Sequence, residues 1–441
     1  MNRSWASLTD ERERACLLAV YPATAQGRTM PCGRISVTRL PICGKSFKPI
    51  DILSDAAPWI SLTMPPPGNA SSSVRLAFVG DMGFTWRLGE AIDAQGIDWF
   101  LSPLGNDLRG FDAIVGNLEC AVMPTGTQTP PSGRIQTLPC ILPALKAMGI
   151  DAVTLANNHV LDGGPDGLAS TRALLAQHGI AAFGAGADID QARAPLMMEV
   201  GGIKLALLGV CDAPYAYATA TRGGVAPLDR RWLLEEVARL RGTGATVIVV
   251  LHAGTEFVFH PEPARIRLSR GLIDAGAALV IQHHPHVVQG IERHGDGLIA
   301  YSLGNFIFRL SDNRYQRDIA GVHDGYVLAV SLSTLAPHRV ETVDLLPTRI
   351  DPEDRPALLA GDARLKAQSR LDQLSRDIED DALIARRYRA TCRREVRGGL
   401  LDSYYTLRRR GLAEGWARLR TEMMRGDRRR YYLGLIGLNA L

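Results

Sequence analysis

Three of the chain's ten histidines, His283, His284 and His286, fall within four positions of the stretch VIQHHPHVVQ. A neutral imidazole in apolar surroundings needs hydrogen-bond partners, and crowding raises that demand. Packing is therefore a poor reason for the cluster, and metal ligation a better one. Other groups of ligand type close strand-like apolar runs. VRLAFVG ends on Asp81, AIVGN leads to Asn117 and Glu119, AVTLA to Asn157, Asn158 and His159, TVIVVL to His252, and ALVIQ to the histidine cluster. In open α/β sheets, ligands collect beyond the carboxyl ends of the strands. Carboxylates, amides and imidazoles without thiolates suit Mn, Fe or Zn rather than a structural zinc–cysteine site. Each residue alone has an ordinary explanation as a cap, a turn or a packed histidine, and His178, His294 and His338 are read that way. Five strand ends closing on such residues together favour the metal.

The elements that must position these groups are legible from about residue 73. From there, apolar runs alternate with helical patterns such as PDGLASTRALLAQHG and LDRRWLLEEVARLRG, an α/β arrangement. VVQGIER, LIAYSLGNFIF, GYVLAVSLS and HRVETVDLLP then follow without a helix between them, which predicts antiparallel pairing. Residues 1–72 lack sustained periodicity and end in a Pro- and Ser-rich linker, residues 73–352 form the metal-binding domain, and 353–441 form an Arg-rich helical extension. At 441 residues and 46% hydrophobic, the chain has material for one large domain with an appendage.

The net charge of +4 is unevenly placed: from residue 361 onward there are 19 Lys and Arg against 11 Asp and Glu, which leaves the remainder slightly acidic. The extension's separate composition predicts that its removal leaves a folded metal domain. Seven dispersed cysteines without a C-x-x-C pair point to reduced thiols. No apolar run approaches the roughly 18 residues of a membrane span. ACLLAVYPATA, residues 15–25, has an export-like apolar stretch, but its leader DERER is charge-balanced, so a cytoplasmic or peripheral membrane location is favoured and export stays open.

Taken in order, GDMGF, GNLE, LANNHVLDGG, LHAGTEF, HHPHVVQGIE and YSLGNFIF resemble the motif series of the CapA family. These are capsule and poly-γ-glutamate synthesis proteins within the calcineurin-like metallophosphoesterase superfamily. The resemblance covers roughly residues 74–350. It implies a four-layer αββα sandwich, two β-sheets face to face with helices outside, and a site for two divalent metal ions. Carried over position by position, it makes Asp81, Glu119, Asn158, His252, His284 and His286 metal ligands, with Glu119 bridging, and His159 the catalytic histidine. In an H-x-H at a strand end alternate side chains point the same way, so His284 and His286 converge while His283 supports them from elsewhere and Pro285 stiffens the turn. The chain departs from the pattern at Gly83, where the wider superfamily has a histidine, and at Ala253 and Gln282, where CapA proteins carry an aromatic residue and a glycine.

The chemistry implied is metal-dependent hydrolysis of a phosphoester or a γ-glutamyl amide, with His159 protonating the leaving group. Glu256 would hold His252 or a substrate group, or be a plain surface residue. Asn305 would orient a ligand, or serve a turn. The alternative is a non-catalytic accessory protein that binds or helps export an anionic capsule polymer through its metals. The basic tail would meet a membrane surface or the capsule machinery, or be a solvated helix face. No nucleic-acid partner is expected, since the metal domain carries no positive excess.

Overall fold

A computed structural model describes residues 60–61 and 73–435, apart from 106–107, 131–132, 312, 336–338 and 425. The export-like stretch 15–25 and His338 lie outside the described residues.

The strands of the two large sheets are, in chain order, β1 (Ile60–Ser61), β2 (Ser73–Gly83), β3 (Ala113–Leu118), β4 (Ile150–Thr154), β5 (Ala181–Phe183), β6 (Leu196–Val200), β7 (Ile203–Cys211) and β8 (Thr246–His252). They continue with β9 (Ala277–His283), β10 (Ile291–His294), β11 (Gly297–Ala300), β12 (Asn305–Phe308), β13 (Asp324–Ser333), β14 (Val340–Ile350) and β15 (Pro356–Leu358). The first sheet has the order β15-β14-β13-β2-β3-β4-β5, with β12 also alongside β2; the second has the order β1-β6-β7-β8-β9-β11-β10. Strands β2 to β5 run parallel, as do β7, β8, β9 and β11.

Alternation of side chains explains how both faces are used. Leu76 and Phe78 of β2 join Ile248, Val250, Leu279 and Ile281 in a core between the sheets. Ala77 and Val79 turn the other way, toward helices α1 (Trp86–Gln95), α2 (Ile141–Ala147) and α3 (Gly164–Gln177). On the second sheet Val247, Val249 and Leu251 pack with Leu233, Val237 and Leu240 of α4 (Arg230–Gly242) and Ile266 and Leu272 of α5 (Pro263–Asp274). Strands covered on both faces read as continuous apolar runs, which is how they appear in the sequence. The result is a four-layer αββα sandwich, as the resemblance implies.

The antiparallel expectation holds for β10 with β11 and for β13 with β14, but the run LIAYSLGNFIF is not a single strand. That run divides. Gly297–Ala300 lies parallel to β9 in the second sheet, Asn305–Phe308 lies parallel to β2 in the first, and Tyr301–Gly304 carry the chain between them. Gly304, at φ +70°, permits the crossing, and its carbonyl accepts the Asp81 N–H at 2.9 Å. A Cβ on Gly80 would lie 2.2 Å from that oxygen, so the approach also needs a glycine there. Apolar periodicity cannot separate one long strand from two collinear strands in different sheets.

The extension forms α6 (Gly361–Ile378), α7 (Asp381–Arg410), α8 (Leu412–Met424) and α9 (Gly426–Leu435). Asp380 caps α7 by accepting the Leu383 N–H at 2.9 Å. Leu371 is buried in the core between the sheets, and Ile378 and Ile384 in the core under α4 and α5. Ser375 accepts the Ile291 N–H at 3.0 Å, and His260 Nε2 lies 2.9 Å from Asp377 Oδ2. A Cβ on Gly290 would meet the backbone of Leu374 at 2.7 Å. This packing argues against the expectation that the extension can be removed without harm. Among the described residues no helix is long and apolar enough to cross a membrane, and Cys120, Cys140 and Cys211 carry free thiols.

Candidate metal centre

The carboxyl ends of β2, β3, β4, β8 and β9 meet at one rim. Register does much of the placing: Asp81 is paired with Asn117 on one side and Asn305 on the other, and His252 with His283. Asp81, Glu119, His252, His283 and His286 are all buried. Asp81 Oδ1 accepts from Asn117 Nδ2 at 2.8 Å and stands 2.9 Å from His283 Nδ1, while Oδ2 accepts the His284 N–H at 3.2 Å. His252 lies between two amides, its Nδ1 3.3 Å from Asn117 Nδ2 and its Nε2 2.8 Å from Asn158 Oδ1.

Glu119 is the centre of this arrangement. Its side chain is fully buried, yet neither carboxylate oxygen has a hydrogen-bond donor among the described residues. Three imidazole nitrogens surround Oε1 instead, His252 Nε2 and His286 Nε2 at 3.7 Å and His159 Nε2 at 3.9 Å, all too far for a hydrogen bond. An orphaned buried carboxylate is costly in a protein interior. One ringed at these distances by imidazoles is what a cation-binding cage requires, so the residues present fit a metal. Asp81, Glu119 and His286 have donor atoms within 4.8 Å of one another, as do Glu119, His252 and His284. The groups can therefore hold metal ions, with Glu119 common to both sets.

The electrostatics agree with that reading. Burial, with the negative charges of Asp81, Glu256 and Asp162, pushes the Glu119 carboxyl well above its ordinary range. Burial also pushes Asp81 upward, but the His283 hydrogen bond and the surrounding imidazoles outweigh it and hold that carboxyl below its ordinary value. Burial and the neighbouring His284 hold His252 well below the usual histidine range, which keeps it a neutral donor.

His284 and His286 converge for a reason other than the one expected. β9 ends at His283, and the next residues leave the extended conformation, with φ +96° at His284 and +55° at His286. Strand alternation therefore does not apply to the pair. A left-handed turn aims them, held by the Asp81 carboxylate on the His284 N–H. Non-glycine residues with positive φ are uncommon and cluster at functional sites. His283, the residue still on the strand, reaches Asp81.

His159 stands at the mouth, its side chain 22% exposed, with Nδ1 2.8 Å from Asp162 Oδ2. Asp162 is itself fixed by the Ile135 N–H at 2.6 Å. Sequence reasoning gave Asp162 no role, although the H-x-x-D spacing in HVLD was visible. Asn305 turns Oδ1 to His286 Nδ1 at 2.9 Å because its Nδ2 donates to the Val322 carbonyl at 2.9 Å. That bond places the proton on Nδ1 and leaves the Nε2 lone pair facing Glu119. Asn305→Ala is expected to weaken metal affinity about 10- to 100-fold, the usual effect of losing a partner behind a ligating histidine. A metal titration of the purified variant checks this, and an unchanged affinity would make Asn305 a turn residue.

Glu256 is exposed, in keeping with the surface reading, and its carboxylate lies with donor atoms of His284 and His286 within 4.8 Å; the reading in which it holds His252 has no such grouping among the described residues. Gly83 faces the Phe308 ring, which would lie 2.3 Å from a Cβ there, so phenylalanine fills the room a side chain at 83 would use. Gln282 does not line the cage. Its Oε1 accepts from Arg265 Nε at 2.8 Å and its Nε2 donates to Ser269 at 2.7 Å, both on α5. Buried Arg265, which also donates to the Tyr301 carbonyl at 2.7 Å, was not foreseen. His178 caps its helix through the Leu174 carbonyl and His294 pairs with Asp274 at the surface, as read.

The capsule biosynthesis protein CapA of Bacillus anthracis is 28% identical over 272 residues, covering 59% of this chain and 66% of that protein. The PGA biosynthesis protein CapA of Bacillus subtilis (strain 168) is 29% identical over 237 residues, covering 53% and 62%. A probable polyglutamine synthesis accessory protein of Mycobacterium tuberculosis is 29% identical over 274 residues, covering 55% and 69%. The chain thus spans slightly less than two thirds of the length of the two Bacillus relatives. The model of a family described as bacterial capsule synthesis protein PGA_cap matches residues 75–310, a span that runs from β2 through the histidine turn to β12. Since that match takes in more than half of the 441 residues, the chain belongs to the bacterial capsule synthesis protein family PGA_cap.

Proposed function

We propose that this protein is a metal-dependent hydrolase that cleaves a phosphoester or a γ-glutamyl amide during the making of an anionic capsule polymer. The observation that carries the reading is His159. Binding alone has no use for a partly exposed imidazole that is oriented by a carboxylate and faces the metal cage, whereas a hydrolase needs a proton donor there. Asp162 holds the His159 ring by Nδ1, which leaves Nε2 as the nitrogen that meets the leaving group. Asp81, Glu119, Asn158, His252, His284 and His286 would hold divalent cations, with Mn, Fe and Zn the metals that suit such donors. Cations there would supply Lewis acidity, drawing charge from the attacked centre and acidifying water near neutral pH. Asp81 and Glu119 are buried, so their charges would act on that centre in surroundings of low dielectric. The capsule and PGA biosynthesis named for the relatives supports a substrate drawn from the making of such a polymer.

The test is a screen of phosphomonoesters, phosphodiesters and γ-glutamyl peptides with the purified chain, before and after chelation and metal restoration. Turnover that disappears with chelation and returns with Mn, Fe or Zn is the expected result. Absence of all hydrolysis, with metal-dependent binding of an anionic polymer intact, would instead make the protein an accessory binder, the word in the name of the mycobacterial relative.

A further inference from the structure

The cage has a gap and, beside it, an unassigned donor. Where the wider superfamily has a histidine, this chain has Gly83, and the Phe308 ring occupies the space a side chain there would use. The donor set of Asp81, Glu119 and His286 therefore lacks one protein ligand that its neighbour, with Glu119, His252, His284 and the Asn158 amide, does not lack. Glu256 forms a third donor set with His284 and His286. It shares a histidine with each of the other two, on the solvent side.

The loop bearing Glu256 is built into place. On one side, Phe257 takes a positive φ of +59° and donates its N–H to the Pro285 carbonyl at 2.8 Å, tying the loop to the turn that carries both histidines. On the other side, the buried Thr255 hydroxyl bonds Glu262 at 2.6 Å and lies 3.1 Å from the Tyr431 hydroxyl of α9. Between these anchors the Glu256 carboxylate is solvated, so its charge carries little desolvation cost before an ion arrives. Asp81 and Glu119 offer two carboxylates to two divalent cations, and an imidazole binds a cation without adding negative charge. A third carboxylate brings the cage closer to neutrality, which favours retention of the second ion.

We propose that Glu256 is a metal ligand of the pair, supplying from the HAGTEF loop the donor that position 83 lacks. This rests on the metal-dependent reading above, and a titration of metal alone separates the two. Full-length wild type and Glu256→Gln are loaded with Mn²⁺, and bound equivalents and affinities are measured by calorimetry and elemental analysis. Melting curves confirm that the exposed substitution leaves the fold intact. Wild type should take two equivalents. Glu256→Gln should keep one at wild-type affinity and bind the other at least about 10-fold more weakly, matching or exceeding the loss of a partner behind a ligand. Two equivalents of unchanged affinity in the variant would overturn the ligand role of Glu256 and leave the hydrolase reading standing. A wild type that takes up no metal would overturn both.

Discussion

His159→Gln is expected to lower metal-dependent turnover by about 10²–10⁴, the usual worth of a positioned proton donor, with metal content unchanged. The separation of the two effects follows from the geometry. His159 Nε2 is 3.9 Å from Glu119 and His159 Nδ1 is engaged by Asp162, so the residue borders the cage from its exposed side, while the donor sets found among the described residues do not include it. Glutamine keeps a polar side chain of similar reach at the mouth but cannot donate a proton to a departing alkoxide or amine. The loss should depend on the leaving group. An alkyl phosphate needs protonation as it leaves, whereas a nitrophenolate departs with its own charge, so the variant should retain far more activity on the nitrophenyl ester. Asp162→Asn should show the same pattern in weaker form, since it disturbs the orientation of the ring. Equal losses on both esters, or loss of metal from His159→Gln, would show that the residue serves the cage and not the leaving group.

A chain ending at residue 360 is expected to be insoluble or largely unfolded, although the family match ends near residue 310. Leu371, Leu374, Ile378 and Ile384 of the extension are each 3% exposed or less, and Leu371, Ile378 and Ile384 belong to the cores between and behind the sheets. Truncating one such side chain to alanine costs about 2–5 kcal/mol. Four together are comparable to the whole stability of about 5–15 kcal/mol of a typical domain. The apolar surface uncovered on the sheets would also be contiguous, which favours association. A milder variant, Leu374→Ala in the full chain, should stay folded with a lowered melting temperature. A truncated chain that is monomeric, melts cooperatively at the full-length temperature and binds metal equally well would show that the extension only rests on the core.

The sequence by itself determined which residues could do chemistry and which elements carry them. Carboxylates, amides and imidazoles at the ends of five apolar runs are a local signal, because a strand's apolar stretch and its first polar residue are adjacent in the chain. The alternating α/β pattern was legible for the same reason, and so was the change of composition at the extension. Three-dimensional packing decided what sequence distance hides. The crossing at Tyr301–Gly304, which sends one apolar run into two sheets, depends on the close approach of Gly80 and Gly304, far apart along the chain. The convergence of His284 and His286 depends on positive backbone angles imposed through the Asp81 carboxylate, and side-chain alternation gives no hint of it. Phe308 against Gly83, Arg265 with Gln282 and α6 against the sheets are likewise contacts between distant residues. Composition reads the extension as a separate basic segment because arginines dominate the count, while its few buried leucines and isoleucines fix it to the core.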